Sequence, residues 1–430
     1  MDLADALAVD KQQQRQFGLE GRVAQLDGLA DVLARDLEEA AAPADGAVVA
    51  DLASLAVEKD VLESDVPGDR SQVIAAGQEV IDGRLLRHLV DAAVVLAGDP
   101  GGVSADLHPV QGTRFQPTGF PDLGAATYRL ADATEMLLVE SAQSIANRLE
   151  SACWDEAEGR LVAPLQGLPY VEVVRDGKVI TNSLLEAHRL NSAYIEHSDV
   201  AAALARDIDY KKGEPVDRLR FVRALCKYDP NTLLHGVFLE SIAGVLRLPR
   251  ALGGFIEARD VRVVSSGGVK NDRVMAEKDE AAGTTAKEGF GNVPFHRDEY
   301  TAGTLTAYFN IDLDQIRSYR LGPELEQCLY ALALFKVQRF LARGLRLRTA
   351  CDLEAGELRV TRPAGLQLPS LSIVTETLPG IIAAATRTGL FADPPITRAT
   401  FQPPKKGKAK PAAEEGQGEA RRHERCQRRQ

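Results

Sequence analysis

The chain lacks a long apolar run, and no stretch of it is long and apolar enough to cross a bilayer. Its first residues, MDLADALAVD, lack the basic-then-apolar pattern of a secretory signal. The five cysteines are far apart and form no CxxC pair, which argues against a zinc ribbon and against a disulfide framework. We therefore expect a cytoplasmic protein with no membrane partner, whose thiols are buried or incidental.

Motifs of common enzymes are also missing. The sequence contains no HExxH, no GxSxG, no GxxxxGK[ST] and no Cys/His ligand set. His235 and His296 have apolar neighbours, which is typical of hydrogen-bonded core or interface residues. Asp122, Asp272 and Asp298 could bind a metal, but nothing in their spacing brings them together. We predict no catalytic residue, no metal site and no cofactor.

Charge is unevenly distributed along the 430 residues, whose formal net charge is −11. Residues 1–100 contain 20 acidic and 8 basic side chains, whereas residues 402–430 contain 4 acidic and 9 basic ones. The remaining middle of the chain is nearly balanced. A balanced domain can still carry a basic groove if its charges segregate by face, so charge alone neither supports nor excludes a nucleic-acid partner.

Composition divides the chain into three segments. Residues 1–75 are predicted to form an acidic N-terminal segment that is partly helical or poorly ordered. Residues 76–401 are predicted to form the main domain. Residues 402–430 contain almost no apolar side chains and are predicted to be a basic, disordered tail.

Hydrophobic periodicity predicts one helix in the first segment, and helices and strands in the main domain. The expected helices are 21–42, 82–97, 141–150 and 323–344. The expected strands are 135–140, 303–316 and 345–353. The region 106–128 is dense in proline and glycine, and we expect an ordered loop or a set of turns there.

The predicted helix after EMLLVE carries a dense set of polar groups, namely Gln143, Ser144, Asn147 and Arg148. Amides and hydroxyls can bond to sugar and phosphate oxygens, and the arginine supplies positive charge. An ordinary solvated outer face explains the same residues about as well.

Two further stretches could bind an anion. VVSSGGVKNDR, residues 263–273, could bring backbone N–H groups and Lys270 to a phosphate, although an ordinary turn explains it better. The strand LRLRT places Arg346 and Arg348 on one face. Surface ion pairing is an equally good explanation of these two arginines.

Eight blocks of the sequence closely resemble, in the same order, the Csb-one family, the Cas-seven-type RAMP backbone subunit of type I-U (I-G) CRISPR interference (Cascade) complexes. The resemblance covers roughly residues 80–355. The blocks are HPVQGTRFQPTGFPDLGAATY, MLLVESAQSIANRLE, NSLLEAHRLNSAYI, NTLLHGVFL, LRLPRALGGFIEA, SSGGVKNDRV, EGFGNVPFHRDEYTA and FLARGLRLRTACDLE.

The resemblance implies an α+β fold with an RRM-like (ferredoxin-like) RAMP core and inserted finger and thumb elements. It implies a non-enzymatic subunit that multimerises along one guide RNA (crRNA), with several copies per complex, and presents the guide for pairing with target DNA. The other implied partners are the remaining subunits of the interference complex.

Mapping by motif position and chemistry gives a set of candidate RNA-binding residues. They are Arg114, Gln116, Gln143, Ser144, Asn147, Arg148, His188, Arg189, Asn191, Lys270, Asn271, Arg273, Arg346 and Arg348. A contiguous aromatic block of the RRM type is absent from the sequence. We therefore expect contacts to phosphate and to the shape of the guide, rather than base stacking.

Two alternatives remain open from the sequence. RAMP folds include endoribonucleases that process CRISPR precursor RNA, and His188 would then be the general acid or base. A more remote alternative is a small-molecule enzyme that uses the glycine-rich stretch 265–273.

Overall fold

The computed structural model describes residues 101–120, 124–211, 213–240, 247–270, 293–362 and 368–403. The helices predicted at 21–42 and 82–97, and the expectations for segments 1–75 and 402–430, lie almost wholly outside these ranges. Within them the fold is a mixture of helices and mostly antiparallel strands, which confirms the α+β prediction.

The strands are numbered in chain order. They are β1 Gly101–Pro109, β2 Gly119–Phe120, β3 Gly124–Ala125, β4 Thr127–Arg129, β5 Glu135–Glu140, β6 Trp154–Asp155, β7 Arg160–Leu161, β8 Tyr170–Arg175, β9 Lys178–Asn182, β10 Val237–Phe238, β11 Arg247–Leu248, β12 Leu252–Arg259, β13 Arg262–Lys270, β14 Val293–Thr301, β15 Thr304–Ile311, β16 Leu345–Arg348, β17 Cys351–Ala355, β18 Arg359–Arg362 and β19 Ile396–Thr400.

The α-helices are numbered in the same way. They are α1 Ala142–Ser151, α2 Ala193–Glu196, α3 Asp199–Ile208, α4 Arg218–Tyr228, α5 Asn231–His235, α6 Leu313–Ser318, α7 Pro323–Ala342 and α8 Leu371–Arg387. Two short 3-10 helices span Ala163–Leu165 and Arg189–Asn191.

A curled antiparallel sheet forms the centre of the described fold. Its strands lie in the order β16–β17–β1–β15–β12–β5–β4, and β18 also pairs with β1. The first strand, β1, falls partly in the region predicted as loop. The prediction missed it because its glycines and Pro109 are unusual in a strand, yet β1 is paired along both edges.

One face of this sheet is buried beneath helices. Leu305, Ala307 and Phe309 of β15 point inwards, which confirms the predicted alternation. The predicted strand continues too far, because the side chain of Asp312 accepts a hydrogen bond from the backbone N–H of Gln315 (2.8 Å) and thereby starts α6. Helices α1 and α5 pack on β12, and α7 packs on α1, α5 and β17.

Helix α7 is buried around most of its circumference, although its sequence predicts an amphipathic helix. Helix α8 packs along it and covers the side that would otherwise face water. Lys336 of α7 is fully buried, and its Nζ lies 2.8 Å from Nε2 of His235. His235 is therefore a hydrogen-bonded core residue, as predicted.

The glycine-rich stretch 263–273 is not an anion-binding loop where the structure describes it. Residues 262–270 are strand β13, which pairs along its whole length with β14. The two strands form a hairpin outside the central sheet. Glycine is needed because a Cβ at position 267 would lie 2.3 Å from the carbonyl oxygen of Phe295.

A second, smaller sheet contains β19, β8 and β9 in that order. Strands β19 and β8 are parallel, and β8 and β9 are antiparallel. Helix α3 packs against β19, and α2 packs against β8.

Four cysteines, Cys153, Cys226, Cys328 and Cys351, are free and buried, in line with the expectation for the thiols. Burial raises the pKa of the Cys153 thiol to about 11 and that of Cys328 to about 12. In the described ranges, no helix is long and apolar enough to cross a membrane.

Two adjacent glycines of β12 offer a matched test of the sheet packing. A Cβ on Gly254 would lie 2.6 Å from Cδ1 of Phe309 and 2.8 Å from the carbonyl oxygen of Tyr308, whereas a Cβ on Gly253 would meet nothing within 4 Å. We expect Gly254→Ala to lower the free energy of unfolding by about 1–3 kcal/mol because it overpacks the core. Gly253→Ala should change it by less than about 0.5 kcal/mol. Equal urea midpoints for the two variants would contradict the packing described here.

Candidate functional site

The segment between β1 and β2 positions the first two candidate residues. Phe115 is buried and exchanges two backbone hydrogen bonds with Tyr300, at 2.9 and 3.0 Å. The backbone N–H of Gln116 donates to the carbonyl oxygen of Ala350 at 2.8 Å. These bonds fix the segment, so that Arg114 reaches the β13–β14 hairpin and Gln116 lines a groove.

A buried carboxylate at the end of β5 holds two of the predicted arginines. The side chain of Glu140 is fully buried, and its Oε1 accepts hydrogen bonds from Nη2 of Arg148 (3.0 Å) and from Nη2 of Arg348. Arg348 also donates to the carbonyl oxygen of Gln116 (3.1 Å) and to Oγ1 of Thr118 (2.7 Å). The cluster Glu140, Arg148 and Arg348 is called the first arginine pair below.

The first arginine pair joins the two ends of the curled sheet. Arg348 lies on β16, at one end of the strand order, and its Nη2 is 3.3 Å from the carbonyl oxygen of Val139 on β5, near the other end. Arg148 of α1 donates to the carbonyl oxygen of Leu347 at 2.5 Å. The two arginines therefore have a structural role in addition to any role in binding.

A second carboxylate is shared in the same way on the hairpin. Oε2 of Glu299 lies 3.0 Å from Arg114, and Oε1 lies 2.5 Å from Arg297. Ser266 and the two guanidinium groups lower the pKa of the Glu299 carboxyl, Ser266 through a hydrogen bond. The cluster Glu299, Arg114 and Arg297 is called the second arginine pair.

A groove of about 530 Å³ lies beside the first arginine pair. Its lining residues are Gln116, Pro117, Thr118, Gly119, Gly124, Ala125, Asp298, Tyr300 and Arg348. Oε1 of Gln116 and Nε of Arg148 are buried and have no hydrogen-bond partner within the protein, and Arg148 is not one of the lining residues. The polar side chains that can meet a ligand in the groove are therefore those of its lining, such as Thr118, Asp298 and Arg348.

Each arginine pair has one positive charge left after its glutamate is counted. Arg114 is 54% exposed even while it is paired, whereas Arg148 is 28% and Arg348 22% exposed. A guanidinium that is oriented by a carboxylate still presents free N–H groups, and its planar fork fits a phosphate. This arrangement can bind an anionic backbone without reading bases.

The structure thus brings together Arg114, Gln116, Arg148 and Arg348. Gln143, Ser144 and Asn147 share helix α1 with Arg148, and Gln143 is exposed. The backbone N–H of Ser144 is occupied by the helix cap, since it donates to Oγ of Ser141 at 3.3 Å.

The remaining basic candidates have different outcomes. Arg346 is exposed on β16, and its Nε lies 3.5 Å from Asp352. Lys270 is the last residue of β13. Asn271 and Arg273 lie outside the described residues.

Arg189 must be removed from the candidate interface. Its side chain is 7% exposed, and it donates to both carboxylate oxygens of the fully buried Glu150, at 2.6 and 2.7 Å. The backbone φ of Arg189 is +53°, an unusual value for arginine that the ion pair helps to hold. A guanidinium that is saturated and buried in this way cannot reach a phosphate.

His188 and Asn191 flank this buried arginine. His188 is exposed, and Oδ1 of Asn191 accepts a hydrogen bond from the backbone N–H of Glu240 at 3.1 Å. Glu150, which holds Arg189, lies in the last turn of α1, two residues after Arg148.

Sequence reasoning missed the residues that hold the arginines in place. Thr118, Glu140, Arg297, Glu299 and Tyr300 were not candidates. Local sequence carries no signal of the shared carboxylates, because Arg348 is far along the chain from Glu140, and Arg114 is far from Glu299. Among the described residues, no group of three or more His, Cys, Asp and Glu side chains could hold a metal ion.

Part of the chain is similar to a known family. Residues 102–263 match the family model described as CRISPR-associated protein GSU0053. The match covers less than half of the chain. It includes Arg114, Gln116, Glu140 and Arg148, whereas Arg348 and strand β14 lie outside it.

Solved structures give a weaker similarity. One chain of a "CRISPR RNA-guided surveillance complex, pre-nicking" has 15% sequence identity and a TM-score of 0.35, over 61% of this chain and 75% of that one. One chain of a "CRISPR RNA-guided surveillance complex" has 13% identity and a TM-score of 0.29, over 65% and 81%. No curated protein matches the chain.

Proposed function

We propose that this chain is a guide-RNA-binding backbone subunit of a type I-U (I-G) CRISPR interference complex, of the Csb-one type. Several copies would multimerise along one crRNA in the cytoplasm, together with the other subunits, and present the guide for pairing with target DNA. The match of residues 102–263 to a CRISPR-associated family supports this assignment.

The strand order supports an RRM-like core for this subunit. Strands β17, β1, β15 and β12 lie side by side in that order in the sheet. In the chain these four strands follow one another as β1, β12, β15 and β17, so the strand order of the set is 4-1-3-2. Helix α1 lies in the chain between β1 and β12, and α7 lies between β15 and β17. This β-α-β-β-α-β arrangement is the ferredoxin-like one. The projecting β13–β14 hairpin is our candidate for the thumb element.

The two arginine pairs carry the proposal for the site. They flank the segment that contains Arg114 and Gln116, and each keeps one net positive charge beside exposed N–H groups. Such a surface suits a sugar-phosphate backbone, whose contacts fix position without reading sequence. We further propose that the subunit has no catalytic activity of its own.

Co-purification tests the proposed function. The chain is expressed with a CRISPR repeat-spacer transcript and its partner subunits, and the RNA that remains bound after nuclease treatment is sized. We expect protected RNA of defined length, with retention that weakens steeply as salt rises. Recovery of the complex without RNA would contradict the proposal.

Arg114 is the sharpest single test of the interface, because its exposed side chain has a smaller structural role than Arg348. We expect Arg114→Ala to weaken RNA retention and to reduce the slope of log affinity against log salt by about one. Arg160→Ala is the matched control, since that arginine is also exposed and paired with a glutamate, Glu158. An equal effect of the two substitutions would point to general charge and not to this site.

The endoribonuclease alternative makes a different prediction for His188. If the chain processes precursor RNA with this histidine, His188→Ala abolishes cleavage of repeat RNA. On our proposal, purified wild-type chain and His188→Ala both leave the repeat RNA intact and retain the guide equally.

A further inference from the structure

The outer face of the central sheet presents an ordered row of side chains. In register across four strands lie Phe255 on β12, Tyr308 on β15, Ser104 on β1 and Arg359 on β18. Ser104 is buried, so the exposed members of the row are Phe255, Tyr308 and Arg359. The neighbours of Phe255 and Tyr308 along their strands point into the core, so these two rings point away from it.

The two rings form an exposed aromatic surface. Phe255 is 37% and Tyr308 40% exposed, although the chain has few aromatic residues. Their centroids are 5.3 Å apart, and the ring planes are inclined by 34°. Large apolar side chains that remain open to water next to one another on a sheet indicate a binding surface.

The space around the rings is open on one side. The next outward position of β12 is Gly253, where an added Cβ would meet nothing within 4 Å. Its partner across the strands is Asn310, which is exposed and carries a neutral amide. A planar group can therefore approach the rings from this side and find a hydrogen-bonding partner.

Charge on this face is arranged along the row. Arg359 lies at one end and is half exposed, with its guanidinium 2.7 Å from Asp106. Glu257, the next outward residue of β12 after Phe255, accepts a hydrogen bond from the hydroxyl of Tyr128 at 2.6 Å. Asp106 and Glu257 are thus engaged, and the arginine provides the positive end of the row.

We propose that this row binds unpaired nucleobases of single-stranded nucleic acid, which stack on Phe255 and Tyr308, with a neighbouring phosphate at Arg359. Two strand spacings, about 10 Å, separate Arg359 from Tyr308, comparable with the span from a stacked base to the phosphate of the next nucleotide. Stacking on aromatic rings tolerates any base. The inference rests on the proposed function, because it adds a second contact to the same class of ligand.

This surface has no signature in the sequence, because no contiguous aromatic block encodes it. Here the two rings come from strands that are far apart in the chain and become neighbours only through the pairing of β12 with β15. The expectation that base stacking plays no part is therefore replaced by this proposal.

The experiment uses the purified full chain and two probes, a labelled oligouridine RNA and a labelled oligothymidine DNA, each with one fluorescent adenine analogue inside. Fluorescence of the analogue reports stacking, and anisotropy reports affinity. The test variant is Phe255→Leu combined with Tyr308→Leu, which keeps an apolar side chain at both positions and removes both ring faces. Tyr308→Phe should retain stacking, since the ring remains.

The matched control is Tyr194→Leu. Tyr194 is also exposed and also forms a ring pair, with Phe401, at a centroid distance of 5.3 Å. We expect the double variant to lose about tenfold in affinity for each ring, together with the change in fluorescence. Tyr194→Leu and Tyr308→Phe should bind as the wild type does. Thermal unfolding of each variant verifies that it is folded.

The outcomes separate this inference from the proposed function. If the wild-type chain binds RNA and the folded double variant binds it equally with unchanged fluorescence, the stacking surface is wrong while the proposed function stands. If the double variant changes only the number of associated copies in light scattering, the row is an interface between copies, and the inference fails. If the wild type binds neither probe and retains no guide, both proposals fail. If the double variant loses affinity for both the RNA and the DNA probe, the row stacks bases of either kind of single strand. If it loses affinity for only one probe, the row stacks bases of that kind of strand.

Discussion

Arg189→Met is expected to lower the free energy of unfolding by about 3–5 kcal/mol. Arg189 makes two short hydrogen bonds to Glu150, and both side chains are buried. Removing the arginine leaves a carboxylate in the interior without its main counter-charge. Replacing both residues, as in Arg189→Met with Glu150→Leu, should recover most of the loss, because no charge is then left buried.

The loss should depend on pH in a defined direction. Burial raises the pKa of the Glu150 carboxyl from 4.5 to about 7, although Arg189 acts to lower it. Without Arg189 that pKa rises further. Between pH 4.5 and the pKa of Glu150 in the folded state, the folded state binds more protons than the unfolded state. The free energy of unfolding therefore falls as the pH rises through this interval. Arg189→Met should therefore be least harmful at acid pH, where the carboxyl is protonated in both states.

Urea unfolding at several pH values on both sides of this window measures the effect. Arg160→Met is the control, because Arg160 and Glu158 form an exposed pair and such pairs contribute at most about 1 kcal/mol. If the urea midpoint of Arg189→Met equals that of the wild type, the ion pair is not buried as described.

Glu140→Gln is expected to cost about 3 kcal/mol of stability. The substitution keeps the size of the side chain but leaves Arg148 and Arg348 side by side without a counter-charge. Because these arginines join β16 and α1 to β5, the closure of the curled sheet weakens with them. Their partial contact with water keeps the loss at the lower end of the range for buried pairs.

Glu135→Gln provides the comparison on the same strand. Glu135 pairs with Arg129, and both side chains are well exposed. Loss of this ion pair should therefore lower the free energy of unfolding by less than about 1 kcal/mol. The two variants are compared by urea unfolding, and RNA retention of folded Glu140→Gln is measured against salt. The added positive charge beside the groove should make that salt dependence steeper. Similar stability of the two glutamine variants would contradict the shared-carboxylate arrangement.

Local sequence patterns predicted several elements correctly. EMLLVE is strand β5, and the helix after it spans 142–151. Helix α7 ends at Ala342, two residues before Gly344, whose φ is +77°. These predictions worked because strand alternation, apolar runs and a terminal glycine act over a few residues.

Patterns failed where distant chain segments decide the outcome. The glycines of β13 suggested a loop, yet the backbone of β14 passes so close to position 267 that only glycine fits a strand there. Strand β1 contains Gly-Gly and proline and was missed, because pairing on both edges stabilises it despite its composition.

The candidate site shows the same division. Arginine is recognisable in a sequence, but its partner is not. Arg148, Arg189 and Arg348 carry the same charge and look alike in the sequence. Only the fold reveals that Arg189 is buried against Glu150, whereas Glu140 orients Arg148 and Arg348.

By itself, the amino-acid sequence determined the α+β class, a few elements of the described core (strands β5, β15 and β16, helices α1 and α7), and the resemblance to a CRISPR-associated family. Only the tertiary structure decided which arginines face solvent, which carboxylates they share, and that Phe255 and Tyr308 stand side by side. The physical reason is that secondary structure depends on neighbours in the chain, whereas burial and ion pairing depend on neighbours in space.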